Sequence, residues 1–438
     1  MLSDFDPQLH EQLKESLRTG VLSLARNRLP FDTPIEDVGP GDLSHSDAEA
    51  NSECRAIGRL ALKRGEVGVL TLAGGVGSRW SHGAGNVKAL YAFHALGGHD
   101  RSFIEVHLAK TRAVAQACGT PLPHIIATSF LTHEPLDRHL ARHNLFGYEG
   151  PVVLSRGCSV GWRLVPPVRE LLYAWSQGMA APPDAATRAY RQKMVAWARQ
   201  SGGASDYSEN TPLQCLYPLG HWYEFANLLR NGTLPMLLAV RPQLRYLMLH
   251  NIDTLGADVD VSLLGWHVRQ GADLTYELIR REPGDRGGGL ARVDGRVRLV
   301  EGLALPERFR EDHLAYYNTM TTWISIDSLL ERFGLARTDL IELPRVDACV
   351  QRMADRVPTY VTIKDVRNHD SRGCDTIYPV AQCEKLWGDM SGLTDVVCRY
   401  LVVPRQRGQQ LKETSQLADW RENGSARHVE QLCAWHSS

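Results

Sequence analysis

The chain has 438 residues, 43% of them hydrophobic, enough to bury a core spread over two or three units or one large α/β domain with extensions. Its 49 lysines and arginines stand against 50 aspartates and glutamates, so no overall field is expected to recruit nucleic acid or an anionic membrane, and any phosphate selectivity must be local. Nine cysteines, at positions 54, 118, 158, 215, 349, 374, 383, 398 and 433, never adopt Cys-x-x-Cys spacing, which points to reduced thiols in a cytoplasmic setting rather than a disulfide framework or a zinc site. The acidic start Asp4-Phe5-Asp6 lacks an apolar h-region, and no apolar run approaches ~18 residues, so neither secretion nor membrane spanning is expected.

In chain order, Leu9, Leu13 and Leu17 are spaced for one face of a helix, and a Pro/Asp/Gly-rich stretch over 29–42 follows. Residues 1–60 therefore read as a helical N-terminal arm. From Val67 short apolar runs alternate with helical stretches: strand 67–72, helix 103–118, strand 124–128, helix 132–144, strand 151–154. This alternation predicts a Rossmann-like, mixed but mostly parallel sheet with helices on both faces. A polar section over 180–210 reads as a helical insertion ending in a loop, and no chemistry is assigned to it. The α/β pattern resumes with strand 244–250, helix 261–270 and strand 274–280, and Gly287-Gly288-Gly289 marks a tight turn between strands because glycine alone adopts left-handed angles freely. The expected organisation is the arm, a main domain over 61–400 and a short C-terminal segment over 401–438.

The first strand empties into Ala73-Gly74-Gly75-Val76-Gly77-Ser78-Arg79. Such a turn exposes backbone N–H groups with no side chains in the way, which suits a polyphosphate, and open α/β sheets bind ligands at the carboxyl ends of their strands. The plain alternative is a strand-to-helix connection. Spacing removes two familiar motifs: a dinucleotide fingerprint needs a third glycine where Trp80 stands, and a P-loop needs Gly-Lys-Ser/Thr where the chain has Gly77-Ser78-Arg79. An oxidoreductase reading of the same sheet fails for want of that third glycine and of an acidic residue placed to pair with a ribose. His133-Glu134 with His139 is no zinc helix, because the second histidine is not four residues on and Pro135 intervenes.

Together with Lys88 behind it, the glycine turn resembles the Leu-x-Gly-Gly-x-Gly-Thr/Ser-Arg/Met element, followed by Pro-Lys, of the UDP-sugar pyrophosphorylases; Val87 replaces the usual proline. Further elements follow in the family's order. Ser129-Phe130-Leu131-Thr132 resembles its Ser-x-x-Thr, Pro218-Leu219-Gly220-His221 its Pro-x-Gly-His, and Asn251-Ile252-Asp253-Thr254-Leu255-Gly256-Ala257 its Asn-Val-Asp-Asn-Leu-Gly-Ala. Tyr317-Asn318-Thr319 resembles Phe-Asn-Thr, and the stretch from Pro404 through Arg405, Arg407 and Lys412 to Ser415 resembles Pro-Arg-x-Arg-Phe-x-Pro-Val-Lys-x-Thr-Ser. The resemblance runs from about residue 67 to 416. It implies a nucleotide-diphospho-sugar transferase fold of GT-A-like type and, over 61–400, a catalytic nucleotidyltransferase domain. The implied reaction joins a nucleoside triphosphate to a sugar-like 1-phosphate and releases pyrophosphate, by a monomer or homodimer.

That chemistry needs neutralised charge and alignment more than covalent catalysis, because an α-phosphoryl centre ringed by negative oxygens resists attack by another phosphate. By resemblance, Lys88 and Lys412 contact phosphates, Arg79 assists on the pyrophosphate side, and Asp253 holds Mg²⁺, a hard ion content with one carboxylate, phosphate oxygens and water. Gly74, Gly75, Gly77, Ser78, Arg156, Gly220 and His221 are the implied nucleotide-binding residues. Asn251, Gly288, Glu301 and Asn318 are implied for the acceptor; for Glu301 the alternative is an exposed edge residue, and for His221 a satisfied structural histidine.

Departures from the pattern bear on substrate. Where the family reads uracil with a glutamine at a strand end, this chain has Arg156, and a guanidinium only donates, which suits guanine O6 and N7 or the acceptor edge of cytosine. Thr254 in place of asparagine, and Met320 soon after Asn318, are expected near the acceptor. The chain ends soon after Lys412, so a divergent member lacking most of the family's C-terminal domain is expected, with GTP- or CTP-dependent activation of a cyclitol or pseudo-sugar phosphate, as in aminocyclitol antibiotic pathways, as an alternative. A non-catalytic nucleotide-sugar sensor is the remaining reading, and the retention of Lys88, Asp253 and Lys412 together counts against it.

Overall fold

The structure, a computed structural model, describes residues 5–49, 51–75, 80, 87–177, 183–369 and 375–436. Seven strands build the body of the main sheet: β1 (Val67–Leu72), β2 (His124–Thr128), β3 (Val152–Arg156), β4 (Tyr246–Asn251), β5 (Leu274–Arg280), β6 (Tyr316–Ser325) and β7 (Cys398–Val402). With the short strand Ser44–His45 at one edge, the spatial order is Ser44–His45, β7, β5, β6, β4, β1, β2, β3. β6 runs antiparallel to β4 and β5, and every other neighbouring pair on this path is parallel. A hairpin of Gly289–Val293 and Arg296–Val300 joins the sheet where Gly289 faces Tyr317.

Burial explains the sequence pattern of the central strands. All six residues of β1 are buried, Val67 and Val69 in a core on one face and Leu70 and Leu72 in a core on the other. A strand covered twice reads as a continuous apolar run, and period-2 geometry sends its neighbours to opposite faces. The helices used below are α1 (Pro7–Thr19), α2 (Ser52–Lys63), α3 (Phe103–Cys118), α4 (Tyr223–Arg230) and α5 (Val261–Gln270). Helix α3 starts where the Ser102 hydroxyl accepts from the Glu105 N–H, ends on left-handed Gly119, and is buried from Phe103 through Arg112. Helices α2 and α5 cross almost backbone to backbone: a Cβ on Gly58 would lie 1.9 Å from the Val261 carbonyl, and one on Gly265 would lie 1.7 Å from that of Cys54.

The expected divisions at 60 and 400 fall inside α2 and β7, so neither is a break in the structure. Residues before 60 are woven into the body: Leu17 of α1 is fully buried, Phe5 bridges to Val160, and Ser44–His45 extends the main sheet. Among the described residues no helix is long and apolar enough to cross a membrane.

Register decides what meets at the functional edge. Asn251 lies opposite Leu72, Leu72 opposite Ala127, and Thr128 opposite Arg156, so four parallel strands end level. Because β6 is antiparallel, it brings its beginning to the same edge: Asn318 pairs with Leu278, which pairs with Val402 near the end of β7. The glycine turn, Asp253, Tyr317-Asn318 and the segment after β7 therefore converge by topology.

Candidate active site

The glycine turn is held by the Ser-x-x-Thr element. The Ser129 hydroxyl donates to the Gly74 carbonyl at 2.8 Å, and the Ser129 N–H donates to Thr132 Oγ1 at 2.9 Å. Among the described residues, no heavy atom lies within 4 Å of a Cβ added at Gly75. Gly77, Ser78 and Arg79 lie outside the described residues.

Beside the turn stands a charged centre. Lys88 is buried, with Nζ 2.7 Å from Asp253 Oδ1, donating to the Leu411 carbonyl at 2.7 Å and the Lys412 carbonyl at 3.4 Å. The ammonium also sits 5.1 Å from the Trp80 ring centroid and 5.0 Å from that of Phe103. Trp80 Nε1 donates to the Lys412 carbonyl at 2.8 Å, and the Leu411 N–H donates to the Asp253 carbonyl at 2.9 Å. Lys412 Nζ donates to the Tyr317 hydroxyl at 2.6 Å, which donates in turn to Gln410 Oε1 at 3.0 Å. Two ammonium groups against one carboxylate leave a net positive centre, which is what a polyphosphate requires.

Asp253 was expected to hold a metal, and one of its oxygens is spoken for by Lys88. Among the described residues no group of three or more His, Cys, Asp or Glu side chains could hold an ion by itself. A single carboxylate at the mouth of a phosphate-binding centre fits Mg²⁺ only in company with substrate phosphates and water, the coordination that ion accepts most readily.

A buried arginine places the Lys412 segment. The Arg407 guanidinium donates from Nε to Glu277 Oε2 and from Nη2 to Glu277 Oε1, both at 2.8 Å, and also engages Asp258 through its carboxylate and its carbonyl. Burial opposes its charge, but the charges of Glu277 and Asp258 outweigh burial and hold its pKa above the ordinary value. The turn after Asp253 packs directly on the segment: a Cβ on Gly256 would lie 1.9 Å from the Gln406 carbonyl. Thr254 is fully buried, and its hydroxyl donates at 3.1 Å to the carbonyl of Thr319, the neighbour of Asn318. Threonine fits because it satisfies that carbonyl with a small side chain. Met320 does stay beside Asn318, whose Oδ1 accepts from the Met320 N–H at 3.0 Å.

On the acceptor side, Glu301 and Asn318 meet across Gly388: a Cβ there would lie 2.8 Å from Glu301 Oε1 and 3.6 Å from Asn318 Nδ2. Gly288 leaves no room for a side chain, its Cβ position being 2.4 Å from the Val300 carbonyl, and the Arg281 guanidinium donates to the Gly287 and Gly288 carbonyls at 3.1 Å each. Asn251 ends β4, half-buried, next to Leu72. Glu301 is not an exposed edge residue: burial, reinforced by Asp389, raises its carboxyl to about 8 although Lys412 pulls the other way. Asp389 is buried, accepts from the Tyr360 hydroxyl at 3.0 Å through Oδ1, has no partner for Oδ2 among the described residues, and is raised by burial to about 7.

Gly220 and His221, expected at the nucleotide, pack against the segment 385–387. Gly220 has φ +102° and passes so close to Lys385 that a Cβ would lie 2.3 Å from its carbonyl. His221 Nδ1 accepts from the Trp387 N–H at 2.9 Å, and burial lowers its pKa to about 4, so the ring is neutral near pH 7 and braces the Trp387-Gly388 segment. Arg156 closes β3, its carbonyl accepts from Asn231 Nδ2 at 2.9 Å, and its charge helps to depress His133 after burial has done most of that work.

Sequence reasoning missed Tyr317, Asp389 and Glu224. Tyr317 was legible, since it adds a hydroxyl where the family motif has phenylalanine; Asp389 had no local signal. Glu224, in the first turn of α4, lies against Gly74, whose Cβ position is 3.8 Å from its Oε1, and burial raises its carboxyl to about 7.

A family model described as UTP–glucose-1-phosphate uridylyltransferase matches residues 190–347. A probable UTP–glucose-1-phosphate uridylyltransferase of Schizosaccharomyces pombe is 32% identical over 143 residues, which is 31% of this chain and 28% of that protein. The UTP–glucose-1-phosphate uridylyltransferase of Saccharomyces cerevisiae is 32% identical over 126 residues, 27% of this chain and 25% of its own length. The chain thus spans under a third of the curated relatives it matches. Among solved structures, a UDP-glucose phosphorylase from Trypanosoma brucei has a TM-score of 0.61 at 20% identity, covering 92% of this chain and 72% of that one. The uridine diphosphate N-acetylglucosamine pyrophosphorylase of the same organism, solved with an inhibitor, gives 0.62 at 17% identity over 96% of this chain and 75% of that one. At such identities the likeness is one of fold, and it covers the mixed, mostly parallel sheet.

Proposed function

We propose that this chain, which belongs to the UDP-sugar pyrophosphorylase family, is a nucleotidyltransferase that joins a nucleoside triphosphate to a sugar-like 1-phosphate and releases pyrophosphate. The observation that carries this reading is the Lys88–Asp253 pair, 2.7 Å apart at the end of β4, with Lys412 anchored beside it on Tyr317. An acceptor phosphate oxygen attacks the α-phosphorus, a new P–O bond forms, and the bond to the departing pyrophosphate breaks. No covalent enzyme intermediate is needed, so the residues act by placing and neutralising charge.

Lys412 is well suited to a phosphate because its side-chain contact is a tyrosine hydroxyl and not a carboxylate. Lys88, fixed by two carbonyls and a carboxylate, keeps Asp253 in place. Asp253 would hold Mg²⁺ together with phosphate oxygens and water, and the ion would supply further neutralisation of the polyphosphate when bound. Asn251, Glu301 and Asn318 are suited to ring hydroxyls of the acceptor, with Gly288 packed on the Val300 carbonyl beside Glu301.

The relatives act with UTP and glucose 1-phosphate, and these are the reference substrates. Arg156 favours a second reading, in which the donor is GTP or CTP and the acceptor a cyclitol or pseudo-sugar phosphate. Both are tested by pyrophosphate release from UTP, GTP, CTP, ATP and dTTP with a panel of sugar and cyclitol phosphates, with and without Mg²⁺. Lys412→Ala is expected to lose on the order of 10²–10³-fold in turnover, the usual cost of deleting one electrostatic contact to a developing charge. An unchanged turnover in Lys412→Ala and Asp253→Asn would defeat the mechanism and favour a binding role.

A further inference from the structure

We infer that Glu224 is a specificity-determining residue that reads the donor's base, its carboxylate accepting from the N1–H and 2-amino group of guanine. The inference rests on the nucleotidyl-transfer reading and refines it from a nucleoside triphosphate to GTP.

Glu224 Oε1 lies 3.8 Å from the Cβ position of Gly74, so the carboxylate stands directly over the first glycine of the turn. The carboxylate makes no hydrogen bond or ion pair among the described residues, in contrast to Glu277, which is met by Arg407, and Asp253, which is met by Lys88. A glutamate in the first turn of a helix ordinarily needs no ligand, since it favours the helix dipole from solvent. Glu224 is instead half-buried and desolvated enough for its carboxyl to rise to about 7, a state that a dipole contact alone does not require.

Two consequences follow for whatever lies on Gly74. A phosphate is excluded, because an unpaired carboxylate repels it, so the triphosphate belongs toward Lys88 and Lys412 and the far end of the nucleotide falls beside Glu224. The group that falls there must donate. A carboxylate offers two acceptor oxygens and no donor when ionised. Guanine alone among the common bases presents two adjacent donors, N1–H and the 2-amino group, in the spacing of a carboxylate. Uracil presents a single N3–H flanked by two carbonyls whose lone pairs oppose the carboxylate oxygens. Cytosine and adenine each set an acceptor nitrogen beside their one amino group.

The test is calorimetric titration of the full chain, with Mg²⁺, by GTP, inosine triphosphate and UTP, and the same series with Glu224→Gln. Inosine triphosphate differs from GTP only in lacking the 2-amino group. GTP is expected to bind about tenfold or more tightly than the other two, the scale of one hydrogen bond to a charged group, and the advantage over inosine triphosphate should vanish in Glu224→Gln. UTP binding as tightly as GTP to the unmodified chain would overturn the assignment and leave nucleotidyl transfer standing, as would a GTP-to-inosine ratio untouched by the substitution. Binding of none of the three would overturn both. The comparison of ligands on the unmodified chain decides the matter even if the variant does not fold.

Discussion

The two ends of the functional edge solve opposite electrostatic problems. At the phosphate end, Lys88 pairs with Asp253 and Lys412 rests on Tyr317 through short contacts, and each of those partners is supplied by a segment distant in sequence. At the acceptor end, Glu301 and Asp389 lie near each other with no cation in contact among the described residues, and both carboxyls are pushed up toward neutrality. The first arrangement is tied together by hydrogen bonds that need no ligand. The second holds carboxyls that burial keeps close to neutral, and an acceptor rich in hydroxyl donors would favour their ionised form. The phosphate end is therefore built as a fixed scaffold, and the acceptor end as a surface completed by what binds.

The largest effect expected from disturbing this contrast lies at Arg407, the buried cation that secures the phosphate end. Arg407→Ala would leave Glu277 buried and unpaired, and a loss of about 3–5 kcal/mol in unfolding free energy is expected, measurable by denaturant titration. A loss below ~1 kcal/mol would mean that the Lys412 segment is held by packing alone.

A smaller effect, and one of opposite sign with pH, is expected at the acceptor end. Unfolded, the Glu301 carboxyl ionises near 4.5, and folded near 8, so between these values the folded state binds the extra proton and Glu301 contributes a loss of stability as pH rises. Glu301→Gln carries no such proton. Relative to the unmodified chain, the variant should gain roughly 1–2 kcal/mol between pH 5 and pH 8, allowing for partial solvent screening. Parallel stability profiles would show that Glu301 is solvated, and the contrast between the two ends would collapse.

The smallest effect concerns the contact that joins Lys412 to β6. Tyr317→Phe removes the hydroxyl between Lys412 and Gln410 and restores the residue of the family motif, and a decrease of about three- to tenfold in turnover is expected, the scale of one net hydrogen bond. An increase in turnover would indicate that the hydroxyl restrains Lys412 instead of positioning it.

Much of the fold was legible because local patterns and tertiary burial agree in the central strands. The fully apolar run of β1 and the helical spacing of α5 follow from being covered by other elements, so element type and position could be read directly. Expected boundaries moved where the chain leaves that regime: the helix expected over 132–144 is His133–Arg142, and the strand expected over 151–154 extends through Arg156. The expected arm over 1–60 is the clearest departure, since a two-residue edge strand at Ser44–His45 has no local signature and exists only because β7 offers it a partner.

Among site residues, the sequence by itself determined the order of the motifs, the glycine turn at a strand end, and the lysines and aspartate suited to a polyphosphate. Those features are local, because they depend on residue type and on where a strand stops. Only the tertiary structure decided that Asp253 is bound to Lys88, that Thr254 and His221 are hydrogen-bonded to distant segments, that Glu301 is desolvated and that Glu224 stands over Gly74. Each of those outcomes depends on which distant segment arrives at the same sheet edge, and on how much water it displaces, and neither quantity is written in any short stretch of the chain.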